Sequence, residues 1–405
     1  MKNKFILVVV LLVAAIIGAF SVKLMYSSDP TIIPDVTDTG NFTIDLLKRV
    51  NNEKNYLISP YSIEVALSML KTGADNKTRE EIDKVLPQRD LNVSNENVKI
   101  SNAIFVKNVY KDVIEKSFEK ELKNNYKSTI LYDEFRTPKV INDWVKKSTD
   151  GMIEKILDSI DEDFVLGLAN AIAIDAKWVS EFECNNTVSE KFTKSDNKKI
   201  NVEMMHRQYR DNIEYANGDV EGVIIPYQEN LEFIALLPKD NLKNYINNLT
   251  NEDLNKVLNS FKKLSENERL NLSLPRFSYK YNINNFIGIL NDMGITSAFD
   301  PVEADFSKII TKENLNKLGK DNLYVSDAIH KTYIDLNEKG TKAAAVTYFG
   351  IKTSGAYMED YKEIDIKFNR PFMYIIRDTE TKEILFIGSV YEPNEWKGTT
   401  CSNKD

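Results

Sequence analysis

Apolar residues recur at helical spacing through the first part of this chain and at strand spacing through the second. Between residues 63 and 71, Val65, Leu67, Met69 and Leu70 carry a helical period, and Gly73 reads as the cap that ends it. Thr78-Arg79-Glu80-Glu81 opens another helix towards Leu86, which Pro87 stops. Residues 141–160 read as one or two amphipathic helices interrupted at Asp150-Gly151. After Asn170 strands dominate, at 171–178, 223–227, 231–237, 270–281, 322–337, 364–376 and 384–391. Helices followed by strands, with no internal repeat, predict an α+β fold with large sheets.

The stretch from Asn337 to Thr347 has a different pattern. Gly340 permits a backbone turn that other residues resist, and small, β-tolerant residues follow it. Read as a strand, Thr341, Ala343, Ala345 and Thr347 share one face, while Lys342 lies on the other. The first face is small enough to slide between two existing strands. An Ala-rich helical turn is the plainer reading of the same residues.

Composition narrows the class. With 42% apolar and 10% aromatic residues the chain can bury a large core, and a net charge of −8 argues against a nucleic-acid partner. The basic cluster 194–199 is broken by Ser195, Asp196 and Asn197 and reads as a solvated turn. Cys184 and Cys401 are far apart and do not suggest a disulfide, and no Cys/His spacing resembles a metal site, so neither metal nor cofactor is expected. Only His206 and His330 are available as imidazole bases, and no hydrolase or phosphate-cradling motif is present, which argues against an enzyme. On its own, His330 reads as a satisfied core histidine.

At the N-terminus, Lys2 and Lys4 precede an apolar run from Phe5 to Val22, closed by Lys23. As a helix the run is about 27 Å long, close to the hydrocarbon thickness of a bilayer. Residues 1–23 are therefore expected to be a signal peptide or membrane anchor. Ala19-Phe20-Ser21 offers small residues where a signal peptidase cuts. Residues 24–37, with Pro30 and Pro34, read as a polar tether. Residues 395–405 read as a polar tail, and the chain is expected to be secreted or held at the outer face of the cell membrane.

The flanks of the 337–347 stretch give it a context. Upstream are Val325-Ser326-Asp327-Ala328-Ile329-His330-Lys331 and Ile334-Asp335-Leu336; downstream are Phe368-Asn369-Arg370-Pro371-Phe372 and the segment 386–393. Earlier come 55–63, Asn142-Asp143-Trp144-Val145, Asn170, Lys177-Trp178, Met204-Met205-His206, Ile225-Pro226-Tyr227, Leu274-Pro275-Arg276-Phe277 and Ala304-Asp305-Phe306-Ser307. In this order the motifs resemble those of the serpins, a family of protease inhibitors, and the resemblance spans residues 38–394.

That resemblance implies a serpin fold of three β-sheets and about nine helices with an exposed reactive-centre loop. It implies an inhibitor that is cleaved as a substrate, traps a serine protease (and in some cases a cysteine protease) as a covalent 1:1 acyl-enzyme, and inserts its loop into the main sheet. The chain itself would be a monomer. Counted inclusively from Glu338, the seventeenth residue is Ser354, which places the attacked bond at Ser354-Gly355; Thr353-Ser354 and Lys352-Thr353 remain open because the loop is long. The hinge would comprise Glu338, Gly340, Thr341, Ala343, Ala345 and Thr347. Asn55, Ser59, Ser62, Asn170 and His330 would form the shutter beneath the main sheet, and Trp178 would sit at the breach where the loop enters. Some members of the family keep the fold but act as carriers or structural proteins; a bulky or charged inward hinge face would mark such a chain, and Thr341, Ala343, Ala345 and Thr347 are neither.

Overall fold

Eighteen strands and nine α-helices make up the described part of the computed structural model, residues 37–87, 91, 98–228, 230–341 and 361–398. The chain divides into a unit of residues 1–35 and a unit of residues 36–405, and every described residue lies in the second. Among the described residues no helix is long and apolar enough to cross a membrane; the apolar run 5–22 lies outside them.

In chain order the strands are β1 (Tyr56–Ile58), β2 (Val98–Lys107), β3 (Thr129–Asp133), β4 (Leu166–Ile174), β5 (Ala176–Lys177) and β6 (Thr187–Thr193). Next come β7 (Lys199–Tyr209), β8 (Glu214–Asn217), β9 (Val220–Pro226), β10 (Leu231–Pro238), β11 (Lys262–Lys263) and β12 (Glu268–Pro275). The last six are β13 (Phe277–Asn282), β14 (Lys331–Asn337), β15 (Gly340–Thr341), β16 (Lys362–Lys367), β17 (Phe372–Asp378) and β18 (Ile384–Val390). One sheet has the order β1-β18-β17-β10-β9-β8-β11 and a second β16-β12-β7-β6. The main sheet is hydrogen-bonded in two parts, β3-β2-β4 and β13-β14-β15-β5, joined because β4 runs into β5 through Asp175.

The core follows from the apolar runs. β10, β17 and β18 are buried at every position, as expected for strands covered on both faces. Aromatic rings fasten this sheet to the main one: Trp178 meets Phe233 edge-on at 5.7 Å, and Phe277 lies 5.2 Å from Tyr374. The helix Pro60–Gly73 starts where Ser59 accepts the Ser62 N–H at 3.1 Å and Pro60 takes the first turn, and it is buried over most of its length. A second apolar cluster, with Phe105, Phe135, Trp144 and Phe164, holds the helix Lys139–Ser148 and the chain after it over β2.

Several boundaries differ from the pattern reading. Gly73 is the last helical residue rather than a left-handed cap. A Cβ there would come within 2.3 Å of Ile309, so packing explains the glycine. Only one helix forms in 141–160, because after Asp150-Gly151 the chain continues as turns. The run 270–281 breaks at Arg276 into strands of two different sheets, and 364–376 breaks at 368–371 in the same way. Of 322–337, only β14 is a strand.

Candidate functional site

Glu338 and Lys339 turn the chain from β14 into β15, which lies between β14 and β5. Gly340 pairs with Asn337 on one side and Lys177 on the other, and Thr341 with Leu336 and Ala176. The glycine is required: its φ is +145°, and a Cβ would lie 2.1 Å from the Ala176 carbonyl oxygen. Thr341 is buried, and its Oγ1 shares a hydrogen bond of 2.5 Å with the Tyr227 hydroxyl. Two residues of the small-residue stretch are thus already a strand of the main sheet.

Below Thr341 the described residues supply no strand between β4 and β14, and those two do not pair with each other. A cavity of about 20 Å³ lies there, lined by Ile172 and Ile174 of β4, Tyr333 and Ile334 of β14, Thr341 and Met152. The space is apolar and has the residues of a sheet on both sides.

Trp178 forms the floor under this turn. It is fully buried, stacked on Tyr227 at 4.2 Å with ring planes 7° apart, and its indole N–H donates to the Asn337 carbonyl at 3.0 Å. Its backbone N–H donates to the Lys339 carbonyl at 3.0 Å. Glu338 is buried as well: Thr187 donates its hydroxyl to the carboxylate at 2.6 Å, and Arg276 Nε lies 3.2 Å from the other oxygen. Burial raises the Asp335 carboxyl above its ordinary value, with the Glu338 charge adding and Arg276 opposing. Truncating a buried ring such as Trp178 costs about 3–5 kcal/mol.

Four of the five residues expected in the shutter, Ser59, Ser62, Asn170 and His330, meet around the start of the helix Pro60–Gly73. The Ser59 N–H donates to His330 Nε2 at 3.1 Å. Ser62 donates its hydroxyl to Asn170 Oδ1; Asn170 donates to Asn102 at 2.8 Å, and Asn102 to the Tyr126 carbonyl at 2.7 Å. Thr332 donates to the Leu57 carbonyl at 2.7 Å. His330 must keep Nε2 unprotonated to accept from Ser59, and burial lowers its pKa to about 4. None of these bonds crosses from β4 to β14: Ser62 holds the β2–β4 side, while Ser59 and Leu57 hold the β14 side.

Asn55 is a correction. It stands apart from this cluster, accepting from the Tyr391 and Glu392 N–H groups at 2.7 and 2.9 Å and donating to the Glu392 carbonyl at 2.7 Å. It staples the chain before β1 to the turn after β18. Pattern reading missed Asn102, Thr332, Tyr227, Thr187 and Arg276. Tyr227 and Arg276 lie in noted motifs, and Asn102 is a polar residue in the middle of an apolar strand, which is a usable signal. Ala343, Ala345, Thr347, Ser354 and Gly355 lie outside the described residues.

Cys184 corrects a second expectation, because it is disulfide-bonded. The chain's other cysteine, Cys401, lies outside the described residues. Separation along the sequence is no bar here, since the C-terminal chain returns to β7, the strand that pairs with β6. Glu395 bridges Val202, and the Trp396 N–H donates to the Asn201 carbonyl at 2.8 Å.

Comparison with known proteins matches residues 37–393 to a family profile described as Serpin (serine protease inhibitor). A serpin-like protein of Thermococcus kodakarensis is 29% identical over 91% of this chain and 91% of its own length. Human alpha-1-antichymotrypsin is 31% identical over 85% of this chain and 84% of its own. Among solved structures, the thermophilic serpin tengpin in its native state matches with a TM-score of 0.74 and 32% identity, covering 90% of this chain and 95% of tengpin.

Proposed function

The chain belongs to the serpin family, and we propose that it is an extracytoplasmic suicide-substrate inhibitor of serine-type endopeptidases. The observation that carries this reading is β15: Gly340 and Thr341 already occupy the top of the slot between β14 and β5, and an apolar cavity continues below them.

The chemistry belongs to the target enzyme. Its serine oxygen attacks the carbonyl carbon of the loop bond, the C–N bond breaks, and the new amine leaves with a proton. The new N-terminus stays with the downstream chain, while the upstream chain remains esterified to the protease. With the bond at Ser354-Gly355, residues 340–354 extend as a strand over about 50 Å and carry the protease with them. Distortion of its catalytic groups then stalls deacylation.

The shutter suits this motion. β4 and β14 share no direct hydrogen bond here, but both halves are bonded to the start of one helix, Asn170 to Ser62 and His330 to Ser59, so moving them apart by a strand's width must exchange one of these bonds for a new partner rather than lose it. Each such loss would cost about 1–3 kcal/mol.

The test is a panel of serine and cysteine proteases mixed with the chain. A 1:1 complex that survives boiling in detergent, with the released fragment beginning at Gly355, is the expected result. Reversible inhibition alone, or none across the panel, contradicts the reading.

A further inference from the structure

Among the described residues β16 is held in its sheet by one neighbour, β12, to which it runs parallel. Its outward side chains reach further. Register places Lys367, Ser273 and His206 in one row across β16, β12 and β7, and Asp365, Asn271 and Gln208 in the next. In the second row Asn271 donates to Asp365 at 2.9 Å, and Gln208 donates to Asn271 at 3.1 Å. In the first row Ser273 Oγ lies 3.0 Å from His206 Nδ1. Glu190 of β6 then lies 3.2 Å from His206 Nε2 by one carboxylate oxygen, without a formed hydrogen bond, and pairs with the Lys367 ammonium by the other. A belt of polar side chains therefore crosses all four strands, from one edge to the other.

Chain length shows what the belt restrains. Residues 342–354 laid down as a strand descend about 43 Å. In an uncut chain only residues 355–361 remain to climb back to β16, and seven residues span at most about 25 Å. Full insertion of an uncut loop therefore requires β16 to leave its sheet, whereas a cut loop does not.

We propose that Glu190 is the anchor of this belt, a positioning residue that ties Lys367 to β6 and so retards insertion of the uncut loop. The inference rests on the loop insertion proposed above. Glu190 is the shared partner, and its side chain is 24% exposed against 43% for Lys367, so water and salt weaken the tie without abolishing it.

The test uses the full chain with no protease present, so its outcome is independent of whether any enzyme is inhibited. Amide hydrogen exchange is measured over residues 362–367, with 231–238 as the internal control. Glu190→Gln and Lys367→Met should each speed exchange in 362–367 about two- to fivefold, within the range of a partly exposed ion pair. The control should be unchanged. The charge-swapped pair Glu190→Lys with Lys367→Glu should restore slow exchange. In 0.5 M salt the wild type should move towards Glu190→Gln. Unchanged exchange in the single variants, equal acceleration in 231–238, or no recovery in the swapped pair would overturn the proposal.

Discussion

Thr341→Arg probes the slot where the chain enters it. Thr341 is buried between Leu336 and Ala176, with its hydroxyl on Tyr227. The cavity beneath it is about 20 Å³, room for one water and far less than a guanidinium needs. Burying that charge without a partner costs several kcal/mol. The two-residue strand β15, whose pairing is all the variant must give up, is the cheaper thing to lose. The protein should therefore fold with its hinge expelled, and the loop should be cut without being able to follow into the sheet. In a detergent-gel assay against an inhibited protease, the variant should appear almost wholly as cleaved chain, with the protease left active. Thr341→Ser keeps the contact with Tyr227 and should trap protease as the wild type does. Thr341→Val leaves the Tyr227 hydroxyl unpaired, which costs about 1–3 kcal/mol, and should fall between them. Complex formation by Thr341→Arg at the wild-type level would refute the placement of this residue in the path of insertion.

Two further outcomes follow from buried groups. Folding holds His330 neutral, with a pKa of about 4 against an ordinary 6.5, so the unfolded chain binds the extra proton between those values. Stability should fall as pH drops from 6.5 to 4, by about 3 kcal/mol from this group, and His330→Gln should lack that part of the slope in denaturant titrations; equal slopes would contradict it. Denatured, unreduced protein should titrate no free thiol, since Cys184 is disulfide-bonded and the chain has two cysteines; two free thiols would contradict it.

Local pattern carried much of the fold and part of the site. The apolar runs at 231–237 and 384–391 became fully buried strands because length and composition leave them no other place. The turn at Gly340 was legible because its φ admits little else. Thr341 was legible on parity, and the structure buries it. What pattern could not show was pairing between distant segments. Periodicity cannot tell that 322–330 lacks the neighbour that would make it a strand, that Asn55 bonds to the turn after β18, or that the C-terminal chain returns to β7. Asn102 and Thr332 join the hydrogen bonds around Ser59 and Ser62 only because β2 and β14 approach the same helix start.

The account rests on a native sheet that is held short of its most stable arrangement. Calorimetry of the intact chain, and of the chain nicked between Thr347 and Gly355 by a protease it does not trap, measures that directly. Insertion adds a central strand and its ladder, so the nicked form should melt tens of degrees higher; one kcal/mol in a domain of this size moves Tm by only about 1–2 °C. A nicked form that melts at or below the intact protein would contradict the account.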